Sequence, residues 1–378
     1  MKVLFLLPYP LGRAPGQRYR VEQWAPFLRD SGVECDLFPL LTVANQQTIS
    51  SRSPFWKKFA AVSSGVGRCL KTLPRLHDYD VVWLHRTALL AGPPVLEWVI
   101  GHAGPPLVYE FDDAIWLTKN LDSNRAWGFL KCSWKTKHLC RMATQVVVGS
   151  DNLARYARRF NPHVAVIPST VDIGHYPPRE HSEALGPVVI GWSGSPTTVE
   201  DLSSIEGALR RIAAEARVEF RLMGGEVAFP GLPMTSKPWS PDREVEELRG
   251  YDIGIMPLPD DPWRQGKCGM KALLYMAVGV PAVVSPVGLN TTIIQDGVNG
   301  FVAANEDEWV EKLLRLVRDV KLRRELGAAG RRTAESQYSP QAQVPHVLEV
   351  LRQAAGQRSG RKGPDRASSE VVSPTGAA

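Results

Sequence analysis

Short apolar runs alternate with amphipathic stretches along nearly the whole chain. In the first half Val3–Leu7, Cys35–Pro39, Val81–Leu84, Leu107–Glu110 and Gln145–Val148 are brief, mostly apolar runs ended by polar or turn residues. That is the form of strands buried on both faces. Between the first two, Arg20–Ser31 places Trp24, Phe27 and Leu28 on one helical face, and Gly32 supplies a C-terminal stop. The second half restarts the pattern. Val188–Gly191, Glu219–Met223, Asp252–Met256, Ala282–Ser285 and Gly300–Ala303 read as strands, and Leu202–Ala214, Val245–Leu248, Met270–Ala277 and Glu308–Val317 as helices. Strand and helix in alternation predict an α/β protein of two doubly wound parallel sheets. Ligands of such sheets bind outside the carboxyl ends of the strands, so a cleft between the halves is the expected site.

Between the halves, His175–Pro187 carries three prolines and a glycine and reads as a linker. The predicted organisation is a first domain over residues 1–178, a second over 179–345, and a helix end with a tail over 346–378. After about residue 355 the chain loses periodicity and aromatic residues, so the tail is expected to be disordered. The opening run Val3–Leu7 meets Pro8 and Pro10 too soon for a secretory leader and reads as a first buried strand. Ala272–Gln295 has no charged residue, but Gly279, Pro281, Pro286 and Gly288 divide it into helix, turn and strand, not a membrane span. These features predict a cytoplasmic protein.

Composition adds little beyond this. A chain of 378 residues with 44% hydrophobic content can bury a large core unaided. The five cysteines are odd in number and form no Cys-x-x-Cys pair, which fits a reducing compartment and argues against a disulfide scaffold or a zinc ribbon. A net charge of +6 permits acidic partners and selects none. The basic residues form no stripe on a recognition element, so no nucleic-acid partner is expected.

Three clusters could carry chemistry. Gly12-Arg-Ala-Pro-Gly16 follows the first strand and precedes the first helix, where backbone amides can approach an anion; a simple connecting turn is the alternative. Glu110-Phe-Asp-Asp113 sets two adjacent carboxylates, Asp112 and Asp113, just past a strand end, either to hold or polarise a hydroxyl or to cap the next helix. His85-Arg86 ends another strand with the same ambiguity. Arg264-Gln-Gly-Lys267-Cys-Gly-Met-Lys271 leads into the helix Met270–Ala277, so cations, amides and helix dipole converge where a diphosphate could be neutralised. Elsewhere, Pro54-Phe-Trp-Lys-Lys-Phe59 with Arg68, Lys71 and Arg75, and Arg125–Arg141 with Trp127, Phe129 and Trp134, mix bases with aromatics. Such segments suit peripheral contact with a membrane, or are ordinary helices with a solvated basic face.

Together, Asp252-Ile-Gly-Ile-Met-Pro-Leu258, Gly266–Lys271, Tyr275-Met-Ala-Val-Gly-Val-Pro281, Ser285-Pro-Val-Gly288, Asp296-Gly-Val-Asn-Gly-Phe301 and Ile167-Pro-Ser-Thr-Val-Asp172 resemble the retaining GT-B glycosyltransferases of group 1, family 4. The resemblance spans about residues 1–350. It implies two Rossmann-like domains and a nucleotide-sugar donor held mainly by the second. The acceptor, a glycan or lipid-linked glycan, is held mainly by the first, and transfer proceeds with retention and without metal or other cofactor.

The sequence departs from that family in identifiable places. The Glu-x7-Glu signature falls at Gly266 and Leu274, the Gly-Arg and downstream Lys after the first strand of the second domain are replaced by Gly191-Trp-Ser-Gly-Ser-Pro-Thr-Thr198, and a histidine common in the first domain falls at Asp112. By resemblance, Lys267, Lys271 and Arg264 would neutralise the diphosphate. Amides near Gly191, Ser193, Gly194, Gly269 and Met270 would assist, and Gly12 and Gly16 would close from the other domain. Met223 and Gly224 would pack the base and Tyr275 would face the ribose. Asp112 would orient the acceptor hydroxyl and Asp113 hold it, with Arg18, Arg20, His85 and Arg86 on the acceptor side. The alternatives are a nucleotide-sugar epimerase and a degenerate nucleotide-sugar-binding partner protein.

Overall fold

A computed structural model describes residues 1–51, 53–90, 92–117, 132–180 and 186–361. It contains two parallel six-stranded sheets. The first is built from β1 (Lys2–Leu7), β2 (Glu34–Pro39), β3 (Val81–His85), β4 (Leu107–Phe111), β5 (Gln145–Val148) and β6 (Val164–Val166), ordered β2-β1-β3-β4-β5-β6. The second is built from β7 (Val188–Ser193), β8 (Val218–Met223), β9 (Met234–Lys237), β10 (Ile253–Met256), β11 (Ala282–Val284) and β12 (Phe301–Val302), ordered β12-β11-β10-β7-β8-β9. All ten predicted strands form. The two that the sequence pattern missed, β6 and β9, are sheet edges. Met-Thr-Ser-Lys in β9 is mostly exposed and has no apolar run to announce it.

Connections leave β1 towards β2 on one side and β3 on the other, and leave β7 towards β8 on one side and β10 on the other. Those divergence points open the crevices in which doubly wound sheets bind ligands. On one face of the first sheet lie the helices Phe55–Leu70, Val95–His102 and Lys135–Met142, and on the other Gln23–Asp30. The second sheet is covered by Met270–Ala277 and Val320–Tyr338 on one face and by Glu206–Glu215 and Glu306–Arg318 on the other.

The chain ends by crossing back. The helix Pro340–Arg361 seats Val344, Val347, Val350, Leu351 and Ala354 against Val3, Phe5, Trp24 and Trp83 of the first half. Burying each of those valines and the leucine is worth about 1.5 kcal/mol or more, which ties the last helix to the first sheet. It also carries helical structure to Arg361, beyond the point at which the periodicity predicted loss of order. Within the predicted linker, Arg179 is anchored, its amide donating to Val278 O at 2.9 Å and its guanidinium paired with Asp252 at 2.9 Å.

Candidate active site

The first wall of the crevice starts at the carboxyl end of β1. The amide of Gly12, in the left-handed region at φ 75°, donates to Glu22 Oε2 at 2.8 Å. Gln17 Nε2 ties the same loop to Tyr9 O at 3.0 Å and to Glu22 Oε1 at 2.7 Å. The braced loop presents Gly16 to the ends of β3 and β4. A β-carbon at Gly16 would lie 2.8 Å from Arg86 Nη2 and 3.0 Å from Asp112 Cγ, so any side chain there would push these two groups out of place. Arg86 follows β3 in the left-handed region at φ 57°, costly for a residue with a β-carbon. Its amide bonds Glu110 O at 2.7 Å and its carbonyl accepts from Tyr109 Oη at 3.0 Å. The side chain is thereby aimed at Asp112, whose Oδ1 accepts from Nε at 2.6 Å, and Nη2 lies 3.5 Å from Asp113 Oδ2. Burial opposes ionisation of Asp112, but the charges of Arg86, then His85 and Arg20, outweigh it and hold the carboxyl well below its usual range.

Beneath this surface lies a second set. Glu110 accepts from Arg20 Nε and bonds His85 Nδ1, and all three side chains are sealed from solvent. Arg20 Nη1 also donates to Ile167 O at 2.7 Å. Burial disfavours the Glu110 carboxylate, yet Arg20 and His85 bring its pKa below the ordinary value. Arg20 and His85 therefore form a floor under Asp112, and the expectation that they line the acceptor side is corrected: no acceptor can reach them in this arrangement. Sequence spacing could not show this, because strand ends look alike whether they face a crevice or its support.

The second wall comes from β7, β8 and the turn before Met270–Ala277. Gly191 packs flat against the Tyr251 ring inside the sheet layer, and the amide of Ser193 donates to Tyr275 Oη at 3.0 Å. Tyr275 is wholly buried and also bonds Ile255 O at 3.2 Å, so it braces β7 against β10 in place of facing a ribose. Beyond the strand ends, Gly194 donates to Met223 O at 2.9 Å. Gly224 (φ 86°) fits so closely against Gly194 O that any side chain there would collide with it. Met223 itself is buried.

The three cations of the turn part company here. Arg264 is neutralised in an acidic nest, Nε to Asp201 Oδ1 at 2.8 Å with further pairing to Asp261 and, at 3.5 Å, Glu200. Lys267 crosses the crevice to Asp113 Oδ1 at 2.9 Å. Lys271, partly exposed beside Gly194, lies 4.9 Å over the Trp192 ring and makes no hydrogen bond or ion pair among the described residues. Burial pushes its pKa down to about 8, with Lys267 and Arg264 adding to the effect and Asp201 opposing it. Gly269 (φ 69°) caps the helix, and the partly buried Met270 is its first residue. No group of three or more metal-ligating side chains is found among the described residues.

Further contacts join the walls. Cys268 Sγ bonds Asp112 O at 3.1 Å, and Asn152 Nδ2 bonds Gln265 O at 2.9 Å. Arg18, expected beside the acceptor, instead pairs with Glu244 of the second half, which also accepts from Tyr19 Oη at 2.9 Å, Tyr176 Oη at 2.8 Å and Trp239 Nε1 at 2.9 Å. Sequence reasoning missed Glu244: as a first-turn acid of the helix Pro241–Arg249 it resembles any dipole-stabilising glutamate.

Residues 205–319 match the family model described as glycosyl transferases group 1. Among curated proteins, a D-inositol 3-phosphate glycosyltransferase of Geodermatophilus obscurus is 26% identical over 252 residues, covering 56% of this chain and 54% of that protein. A second of the same name, from Xylanimonas cellulosilytica, is 27% identical over 192 residues, 50% of this chain and 39% of that one. The chain thus spans about half the length of the curated relatives it matches. Among solved structures, sucrose-phosphate synthase from Thermosynechococcus elongatus superposes with a TM-score of 0.69 at 14% identity, covering 94% of this chain and 100% of that one. Anabaena HepE, solved with UDP and glucose, gives 0.63 at 15% identity over 93% and 99%. At these identities the structural likeness establishes the fold.

Proposed function

We propose that this chain is a group 1 glycosyltransferase, a reading supported by the family match over residues 205–319 and by the GT-B fold, and that it moves a sugar from a nucleoside diphosphate to a hydroxyl with retention at the anomeric carbon. The observation that carries the reading is Lys271. An ammonium with no carboxylate partner among the described residues, set over Trp192 at the start of a helix and beside the turn at Gly194, suits a dianion. Amides at Gly269 and Met270 add donors, and together they would stabilise charge on the departing diphosphate. Solved neighbours of this fold hold UDP and UDP-glucose, which makes a uridine diphosphate sugar the first donor to try.

On the opposite wall, Asp112 stays ionised throughout the working pH range because Arg86 and the buried cations favour the carboxylate. So low a pKa makes it a poor proton acceptor but a good fixed hydrogen-bond acceptor, so its role is to orient the attacking hydroxyl. Asp113 and Lys267 pair across the crevice, and a bound donor would draw Lys267 towards phosphate. The acceptor is a glycan or a lipid-linked glycan, and the second would bring the protein to a membrane as a peripheral component. A thermal-shift screen against UDP, GDP, dTDP and their sugars tests donor binding: a ligand at about 100 times its Kd raises stability by about 2.7 kcal/mol. Release of nucleotide only when an acceptor is present then tests transfer. Because Arg264 and Lys267 are already paired with carboxylates, a non-catalytic nucleotide-binding protein is the second reading, and binding without turnover would establish it.

A further inference from the structure

The helix Phe55–Leu70 is built inside out. Its buried stripe is Ala61, Gly65 and Cys69, spaced four residues apart, with Gly65 seated against Leu41. Its large apolar side chains point away from the core: Phe55, Trp56 and Phe59 are 60%, 64% and 62% exposed, and Leu70 is 50% exposed. An ordinary surface helix does the reverse, since burying large apolar groups is what holds it to the protein. On the same face of the first sheet, Val95 and Trp98 on Val95–His102 and Trp134 at the start of Lys135–Met142 are also exposed. All five exposed phenylalanines and tryptophans among the described residues lie on this layer. Large apolar side chains gathered on one face in this way mark an interaction surface.

Charge selects the partner. From Leu37 to His77 the chain has no acidic residue but contains Arg52, Lys57, Lys58, Arg68, Lys71 and Arg75. Lys57 extends beside the Trp56 ring at 5.3 Å, and Phe55 stacks on Phe59 at 6.4 Å. Aromatics that can sink to the headgroup level, flanked by lysines that reach phosphate, match the chemistry of an anionic bilayer surface. No helix among the described residues is long and apolar enough to cross a membrane, so the contact is peripheral. We propose that the layer formed by Phe55–Leu70, Val95–His102 and Trp134 docks the protein on a membrane containing anionic lipid. This deepens the lipid-linked form of the reading above and rests on it only for the reason the protein would go there.

The test is flotation of the full chain with vesicles of neutral phosphatidylcholine and with vesicles carrying about a third phosphatidylglycerol, each at low and high salt. The protein is expected to float with the anionic vesicles at low salt and to be released as salt rises. Phe55→Ser/Trp56→Ser/Phe59→Ser should cut the vesicle partition coefficient more than ten-fold. Lys57→Glu/Lys58→Glu should cut it at least 25-fold, since each basic residue at such a surface contributes about five-fold. These side chains are exposed, so the variants should melt with the parent, and a retained thermal shift with nucleotide would confirm an intact crevice. Absence of flotation overturns the proposal, as does flotation that the triple serine variant leaves unchanged. Concentration-dependent dimerisation abolished by the same variant, without vesicle binding, would also overturn it by showing that a second copy covers the face. Since flotation needs no turnover, a failure of the transferase reading leaves this result independent.

Discussion

Gly16→Ala isolates the geometry of the crevice from its chemistry. The new methyl would stand 2.8 Å from Arg86 Nη2 and 3.0 Å from Asp112 Cγ, against 3.4 Å or more for ordinary contact. Each group must therefore recede by about half an ångström, and the carboxylate oxygen facing the loop by more, on the order of 1 Å, within the range that costs about 100-fold in rate when a positioning group is displaced. Gly16 sits in the short helix Pro15–Gln17 without a positive φ, and alanine there regains about 0.5–1 kcal/mol of chain entropy, so global stability should change little. Initial rates of acceptor-dependent nucleotide release, beside urea unfolding and nucleotide titration, separate the effects. The expected result is about 100-fold slower turnover with nucleotide affinity within a factor of about two. Adding the change to Asp112→Ala should cost nothing further, because both act through one carboxylate. Unchanged turnover in Gly16→Ala, or a full additional loss in the double variant, would refute the placement of Asp112 at the reaction.

Other outcomes follow from the same groups. Asp112→Asn should lower turnover by orders of magnitude and leave nucleotide affinity near the parent value, read from kcat and a thermal-shift titration. Lys271→Met should weaken nucleotide binding by about ten-fold or more, the size of one lost charge-assisted contact. In the parent, affinity should be flat below pH 8 and fall as pH rises through about 8, where Lys271 loses its proton; calorimetric titration should show that slope vanish in the variant. Glu110→Gln leaves the buried Arg20 without its counterion and should cost about 3 kcal/mol in urea unfolding. Because the folded pKa of Glu110 is depressed, its contribution is present above the unfolded value and lost as pH falls through the folded one. The variant should therefore show a flatter acid limb of stability.

Periodicity was enough for the architecture. Apolar runs such as Val3–Leu7 and Ala282–Ser285 have few ways to hide except inside a helix-covered parallel sheet, and local pattern reports burial directly. The same reasoning placed the helix Met270–Ala277 and the cationic turn before it, since glycines, lysines and a helix that is apolar after Lys271 sit within about ten residues of one another. The edge strand β9 escaped because an edge needs hydrogen bonds more than hydrophobicity, and β6 because its three residues, Val-Ala-Val, are too short a run to show a period.

What the tertiary structure decided is which charges stay available. Lys267, Lys271 and Arg264 are equivalent cations in sequence, but Arg264 meets Asp201 63 residues away, Lys267 meets Asp113 154 residues away, and Lys271 meets only the face of Trp192 among the described residues. Likewise His85 and Arg86 are neighbours, yet strand alternation sends one into the floor with Glu110 and a left-handed backbone turns the other to Asp112. A side chain's own sequence context sets its charge and reach. Its partner is chosen by chain crossings that local pattern does not encode, and in a low-dielectric crevice the partner determines whether the charge remains free to act.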